Sequence, residues 1–360
     1  MKTISQLDPN FKTAPALPGG NYVNIDEPPF RVYGVQKDEV GYYRMTPSVA
    51  ERVNEGVIGL NRNTAGGVVK FRTNATTLSL RAERPVESYA VQHMTMVASA
   101  GFNAYCGTQL LGSFFPCLCY ENGNFVFGSF SGQIDFAGAS SLKDAEGFFD
   151  VTLYMPLYGG YGDISLCVPE GFEFRATEPF PNAKPIVFYG SSITQGACTD
   201  APGNAYINIL SRRLNRYCLN LGFSGSARAE DAMIEYLAGL DMSIFVLDYD
   251  HNAPTTEHLR NTHEKLFQAV RNAHPNIPIV MASSIPWLPI GRYDPTRREI
   301  IRQTYEHAVA KGDKNVYFID GASFFESVPF DYCTVEGCHP NTLGMYLMAE
   351  GFYAVLKDLV

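Results

Sequence analysis

From Ile186 to the C-terminus, short apolar runs alternate with longer segments of helical period, and nothing else in the 360-residue chain limits the fold as much. The runs are Ile186–Tyr189, Leu219–Phe223, Ile244–Leu247, Ile277–Ser283 and Val316–Ile319. The helical segments lie near residues 204–216, 229–240, 256–273, 295–311 and 342–358. Runs this short and this rich in β-formers, each followed by a helix, require right-handed crossovers and a parallel sheet covered on both faces. Residues 186–360 are therefore expected to form a three-layer α/β domain.

Ahead of this region the period is that of strands. Val69 and Phe71 alternate with Lys70 and Arg72, and Leu78, Leu80 and Ala82 alternate with Ser79 and Arg81. This pattern predicts a hairpin turning near Thr73–Ala75 with one face buried. Further strands are expected at Phe125–Phe130, after a turn at Glu121–Asn124, and at Phe149–Met155 and Ile164–Val168. Many short strands divided by Gly, Asn and Pro turns predict a jelly-roll-like β-sandwich over residues 21–175. Residues 1–20 carry Pro9, Pro15 and Pro18 and read as an extended surface arm. The three prolines of Ala176–Pro185 mark a linker between the two domains.

A formal charge of −9 with no basic run argues against a nucleic-acid partner. The N-terminal MKTISQLDPNF lacks the apolar core of a signal peptide, and no stretch is apolar and long enough to cross a bilayer, so the chain reads as soluble and cytoplasmic. Its eight cysteines show no paired CxxC spacing and are read as buried free thiols. Cys117 and Cys119 would share one strand face, which is only a weak metal signal. No metal and no cofactor are expected.

The first run ends in Gly190-Ser191-Ser192-Ile193-Thr194, where Gly190 allows a sharp turn. In open α/β sheets the carboxyl ends of the strands form the ligand-binding rim, so Ser192 is a candidate nucleophile. Later strand ends supply what a nucleophilic serine needs: a base, a group to orient the base, and donors for the oxyanion. Asn220-Leu221-Gly222-Phe223 offers the Gly222 backbone N–H, and Asp248-Tyr249-Asp250-His251-Asn252 offers the Asn252 amide. Asp331 to Thr342, DYCTVEGCHPNT, brings Glu336 and His339 just before the last helix.

Taken together, these blocks resemble the SGNH, or GDSL-type, hydrolases. The serine block is Gly190-Ser191-Ser192-Ile193-Thr194, with serine where many members place aspartate before the nucleophile. Gly222 and Asn252 correspond to the glycine and asparagine blocks, and Glu336-Gly337-Cys338-His339-Pro340 to the histidine block, usually DxxHP. The N-terminal half is similar to a domain found ahead of certain SGNH hydrolases and named for a GxDLY motif. Tyr43-Arg44-Met45, Gly66 to Thr73 and His93-Met94-Thr95 carry that likeness, and the motif itself stands as Gly101-Phe102-Asn103-Ala104-Tyr105.

The resemblance implies a flavodoxin-like parallel sheet and a serine esterase. His339 would take the Ser192 proton, the alkoxide would attack an ester carbonyl, and water activated by His339 would then hydrolyse the acyl-enzyme. Ser192 N–H, Gly222 N–H and the Asn252 side chain would hold the oxyanion. Glu336 is the expected partner of His339, with Asp331 and a backbone carbonyl as rivals. His251 is read as a pocket wall or surface residue, and Trp287 as either a sugar-stacking or a packed loop aromatic. The expected substrate is a small-molecule ester, a short acyl group, chiefly acetyl, on a carbohydrate. A lipase, thioesterase or general esterase is the alternative, as is a non-catalytic carbohydrate-binding protein with a degenerate hydrolase domain. The oligomeric state is not legible.

Overall fold

The computed structural model describes residues 4–8, 16–17, 19–83, 90–286 and 294–360. The C-terminal half is built on a five-stranded parallel sheet of Ile186–Gly190, Cys218–Gly222, Ile244–Asp248, Ile279–Ala282 and Val316–Ile319. Its spatial order is second, first, third, fourth, fifth. Every residue of the first three strands is buried, which is why they read as apolar runs broken only by Asn220 and Asp248. Because side chains alternate along a strand, Val187 and Tyr189 pack on one face with Met233, Leu259 and Ile301 from three helices. Ile186 and Phe188 pack on the other with Leu210 and Phe352 from two more. Those helices span Asp231–Gly239, Thr256–Ala273 and Pro295–Ala310 on the first face, and Tyr206–Leu214 and Thr342–Leu356 on the second. The order reverses at the first strand, so a crevice opens at its carboxyl end, where Ser192 follows.

The N-terminal half contains two larger antiparallel sheets. One places Val23–Asn24, Asp163–Cys167, Thr77–Glu83 and Phe130–Asp135 side by side. The other runs Phe174–Arg175, Val68–Thr73, Phe149–Tyr154, Phe102–Cys106, Gln109–Phe114, with Arg31–Tyr33 also paired to Val68–Thr73. Phe71, Phe102 and Val151 of the second sheet share one core with Leu78, Leu80 and Leu166 of the first.

Four expectations from the sequence need correction. Val68–Thr73 and Thr77–Glu83 are consecutive strands in different sheets, not a hairpin. Alternation reveals an apolar face but not the hydrogen-bonding neighbour, and here Phe71 and Leu80 meet across the core instead of lying side by side. The outer face of Val68–Thr73 is covered as well: Val68 packs with Tyr105 and Tyr154, and the Lys70 ammonium lies 4.5 Å from the Phe180 ring centroid. Second, the run Phe125–Phe130 divides. Asn124–Gly128 folds back on Cys117–Glu121 through Asn122 and Gly123, both at positive φ, whereas Phe130–Asp135 joins the four-stranded sheet. Third, Ile4–Leu7 in the arm is a helical turn rather than extended, and residues 9–15 and 18 lie outside the described residues. Last, only Cys167, Cys198, Cys218 and Cys333 are buried; Cys117 is exposed on an outlying hairpin, its Sγ 3.9 Å from that of Cys119.

The halves are joined by buried polar contacts. Arg44 is buried and donates to Gly222 O at 2.5 Å, Leu60 O at 2.6 Å and Asn220 O at 3.3 Å, with its guanidinium over Phe223. Burial pulls its pKa down to about 9, so it remains a cation at neutral pH. The altered GxDLY segment lies on the same boundary: Asn103 Oδ1 accepts Gly203 N–H at 3.0 Å, and Tyr105 OH donates to Asn204 Oδ1 at 3.2 Å. Arg44→Ala removes the bonds to Gly222 O and Asn220 O across the boundary as well as that to Leu60 O, and a loss of roughly 2 to 4 kcal/mol is expected in urea unfolding. An unchanged midpoint would remove Arg44 from the forces that join the halves. Among the described residues no helix is long and apolar enough to cross a membrane.

Candidate active site

Ser192 opens a single helical turn, Ser192–Gln195, directly after the first parallel strand. The turn is tight because Gly190 has no side chain: a Cβ there would lie 2.0 Å from Thr194 Oγ1 and 2.5 Å from Asp248 O. Ser191 caps the turn by accepting Ile193 N–H at 3.1 Å. As the first residue of the turn, Ser192 has an N–H without an intrahelical acceptor.

Beneath the turn, buried Asp248 accepts from Tyr206 OH at 3.0 Å and Thr194 Oγ1 at 3.1 Å through one carboxylate oxygen. Burial pushes its pKa up to about 7, against the two hydrogen bonds. A carboxyl raised on folding stabilises the fold while it is neutral, and that contribution is lost as pH rises from the unfolded value through the folded one. Between pH 5 and 8.5 this group is expected to withdraw roughly 3 kcal/mol of stability. Asp248→Asn should flatten that part of the profile in thermal melts. Parallel wild-type and mutant profiles would show that Asp248 does not titrate in this range.

The second part of the site is the loop before the last helix. Val335 N–H donates to His339 O at 2.9 Å and Asn341 N–H to Cys333 O at 2.9 Å, closing the loop on itself. Glu336 folds back so that its Oε1 accepts His339 N–H at 2.9 Å and also meets Nδ1 of the same imidazole in a close contact. His339 Nε2 then lies 2.8 Å from Ser192 Oγ. Glutamate's extra methylene is taken up within the i,i+3 turn. Asp331 sits on the preceding helical turn, Phe330–Cys333, and does not make this bond.

The oxyanion side differs from the expectation. Gly222 N–H donates to Asn220 Oδ1 at 2.9 Å, and a Cβ on Gly222 would lie 2.3 Å from Gln195 N. Gly222 is therefore a packing glycine inside the strand, and its N–H is committed. Gly225, three residues on at φ +68° with open space around its Cβ position, borders a cavity of about 510 Å³ instead. That cavity is also lined by Arg228, His251, Asn252, Ser284 and Asp294. Asn252 accepts Ala227 N–H on Oδ1 at 3.3 Å, which leaves its amide N–H groups to donate. Burial lowers the His251 pKa to about 4, partly opposed by Asp250 and reinforced by His339 and Arg297, so it is neutral at pH 7. Trp287 lies outside the described residues.

Sequence reasoning missed what the N-terminal half brings to this site. The His93 ring is 5.9 Å from that of His339, and Tyr158 OH donates to Ser192 O at 3.5 Å. His93 lay in a segment quoted for the GxDLY likeness, but periodicity carries no signal for contacts between distant segments. The serine-glycine pair Ser224-Gly225 was the available signal for Gly225.

Residues 183–357 match the model of the GDSL-like Lipase/Acylhydrolase family, and residues 20–174 match the N-terminus of SGNH-hydrolase-type esterases. The chain belongs to the SGNH, or GDSL-type, hydrolases. A solved GDSL-like lipase from Bacteroides ovatus is 25% identical over 94% of this chain and 97% of its own, with a TM-score of 0.77. A salicylyl-acyltransferase from a tetracycline biosynthetic pathway is 18% identical over 95% of this chain and 98% of its own, TM-score 0.72. An acetyl xylan esterase from the rumen bacterium Butyrivibrio proteoclasticus is 13% identical over 94% and 98%, TM-score 0.58. The last two likenesses are of fold. No curated protein matches the sequence significantly. In this SGNH chain the mixed α/β fold and its parallel sheet place the serine and histidine blocks at one sheet edge.

Proposed function

We propose that this SGNH hydrolase is a serine esterase that removes small acyl groups, chiefly acetyl, from a carbohydrate through an acyl-enzyme. The observation that carries the reading is the Ser192–His339–Glu336 chain, with 2.8 Å between Ser192 Oγ and His339 Nε2. His339 acts as general base toward Ser192, and Glu336 holds the imidazole with Nδ1 protonated and stabilises the imidazolium that forms. The alkoxide attacks the ester carbonyl, the alcohol departs with the proton from His339, and water then repeats the sequence on the acyl-enzyme. Ser192 N–H, Gly225 N–H and the Asn252 amide are assigned to the oxyanion, where loss of one donor typically costs about 100 to 1000-fold in rate.

The substrate assignment is supported by the polar and charged side chains that line the adjoining cavity among the described residues, Arg228, His251, Asn252, Ser284 and Asp294. Carbohydrate esterases also share the fold, including one from Clostridium thermocellum solved with cellohexaose (18% identity over 82% of this chain and 92% of its own, TM-score 0.56). We divide the chain into an arm (1–20), a jelly-roll-like sandwich (21–175), a linker (176–185) and a hydrolase domain (186–360). The two family models meet near that linker.

Hydrolysis of p-nitrophenyl acetate, butyrate and octanoate tests the acyl part, and acetate release from acetylated oligosaccharides tests the alcohol. Turnover is expected to fall steeply beyond butyrate. Efficient octanoate hydrolysis with no acetate released from any acetylated sugar would replace the carbohydrate reading with a lipase or general esterase.

A further inference from the structure

His93, Cys198 and His339 hold their ligating atoms within 4.8 Å of one another, yet the proposed chemistry uses only His339. His93 is exposed and comes from the N-terminal half; Cys198 is buried just after the serine turn. The two segments are tied together, since Thr95 Oγ1 donates to Asp200 O at 2.7 Å. Cys198 is also held at φ +68°, a left-handed backbone conformation uncommon outside glycine.

Two imidazoles and a thiol form a donor set suited to a borderline-soft, tetrahedral ion. With Zn–N near 2.1 Å and Zn–S near 2.3 Å, ligand atoms around one tetrahedral zinc lie about 3.3 to 3.8 Å apart. From 4.8 Å the ligating atoms need to close by no more than about 1 to 1.5 Å to reach that spacing. We propose that His93, Cys198 and His339 form a Zn²⁺ site, with water as fourth ligand, that switches the active site off. On binding, the Cys198 S–H bond breaks, the sulfur bonds to zinc and the proton passes to solvent; both imidazoles bind in their neutral form.

Inhibition follows because both ring nitrogens of His339 are already in use, Nε2 by Ser192 and Nδ1 by Glu336. An ion on either one removes a member of the proton path. The ion takes no part in the chemistry, and it bridges the two halves of the chain across the mouth of the site. Inhibition rests on the esterase reading of His339; binding does not.

The test uses the full chain with Co²⁺ as an optical probe, in wild type, Ser192→Ala, His93→Ala and Cys198→Ser. Wild type and Ser192→Ala are expected to bind one Co²⁺ with a thiolate charge-transfer band that Zn²⁺ abolishes. His93→Ala should weaken binding by about 100-fold, at the upper end of what lost outer-shell partners cost, and Cys198→Ser should lose the band. In ester hydrolysis, micromolar Zn²⁺ should inhibit wild type reversibly with EDTA, and the inhibitory concentration should rise about 100-fold in His93→Ala. His93 is exposed, so this variant carries the test even if Cys198→Ser does not fold. Absence of a thiolate band in wild type, or equal zinc sensitivity in wild type and His93→Ala, would overturn the proposal. If the esterase reading alone fails, the Co²⁺ spectra stand and only the hydrolysis arm is lost.

Discussion

Ser192→Ala is expected to lower kcat/KM for p-nitrophenyl acetate by about 10⁵- to 10⁶-fold, leaving the turnover that the oxyanion donors and binding supply without a nucleophile. Stability should change by less than about 0.5 kcal/mol, because the Ser192 Oγ hydrogen bond is to His339 and alanine suits a helical turn. Adding His339→Ala should cost little more, since the two act as one unit. The neighbouring hydroxyl separates chemistry from structure. Ser191 Oγ is occupied as the cap of the turn, so Ser191→Ala should lose about 1 kcal/mol of stability with kcat largely kept. Activity in Ser192→Ala equal to that of wild type would mean that another residue is the nucleophile.

Glu336→Gln is expected to lower kcat by about 10³- to 10⁴-fold with much less effect on KM. The amide keeps the length of the side chain but removes the charge that stabilises the imidazolium, and its N–H₂ can point the wrong proton pattern at Nδ1. Glu336→Asp shortens the side chain by one methylene and draws the carboxylate back from the ring. A displacement of that size is expected to cost about 100-fold. Asp331→Asn is the control, expected to leave kcat within about twofold because Asp331 does not reach the imidazole. Equal losses in Glu336→Gln and Asp331→Asn would return the orienting role to an open question between the two carboxylates.

How far the site could be read in advance follows from the range of each interaction. The strand-turn at Gly190 and the i,i+3 relation of Glu336 and His339 are local, so residue type and spacing suffice to suggest them. Gly222 shows where local reading fails. Gly222 and Gly225 both look like turn glycines in LNLGFSG, and the Asn220 side chain, buried under the serine turn, decides which N–H is taken. The false hairpin has the same origin: alternation in Val69–Arg72 and Leu78–Ala82 registers burial of one face, whereas strand pairing depends on segments about 50 or more residues away, Phe149–Tyr154 for the first run and Phe130–Asp135 and Asp163–Cys167 for the second.

The α/β order of the second half and its helices and strands are written in periodicity and spacing, because each reflects burial within a short stretch of chain; the blocks proposed to carry a nucleophile and its base are legible from residue type at the strand ends and from their resemblance to the SGNH pattern. Strand pairing in the first half, the commitment of the Gly222 N–H to Asn220, the docking of Arg44 and Asn103 across the boundary, and the meeting of His93 and Cys198 with His339 were decided only in three dimensions. The contacts of Arg44, Asn103, His93 and Cys198 join residues from about 100 to nearly 250 positions apart, and nothing in either local pattern names its partner. Packing of the whole chain brings them together.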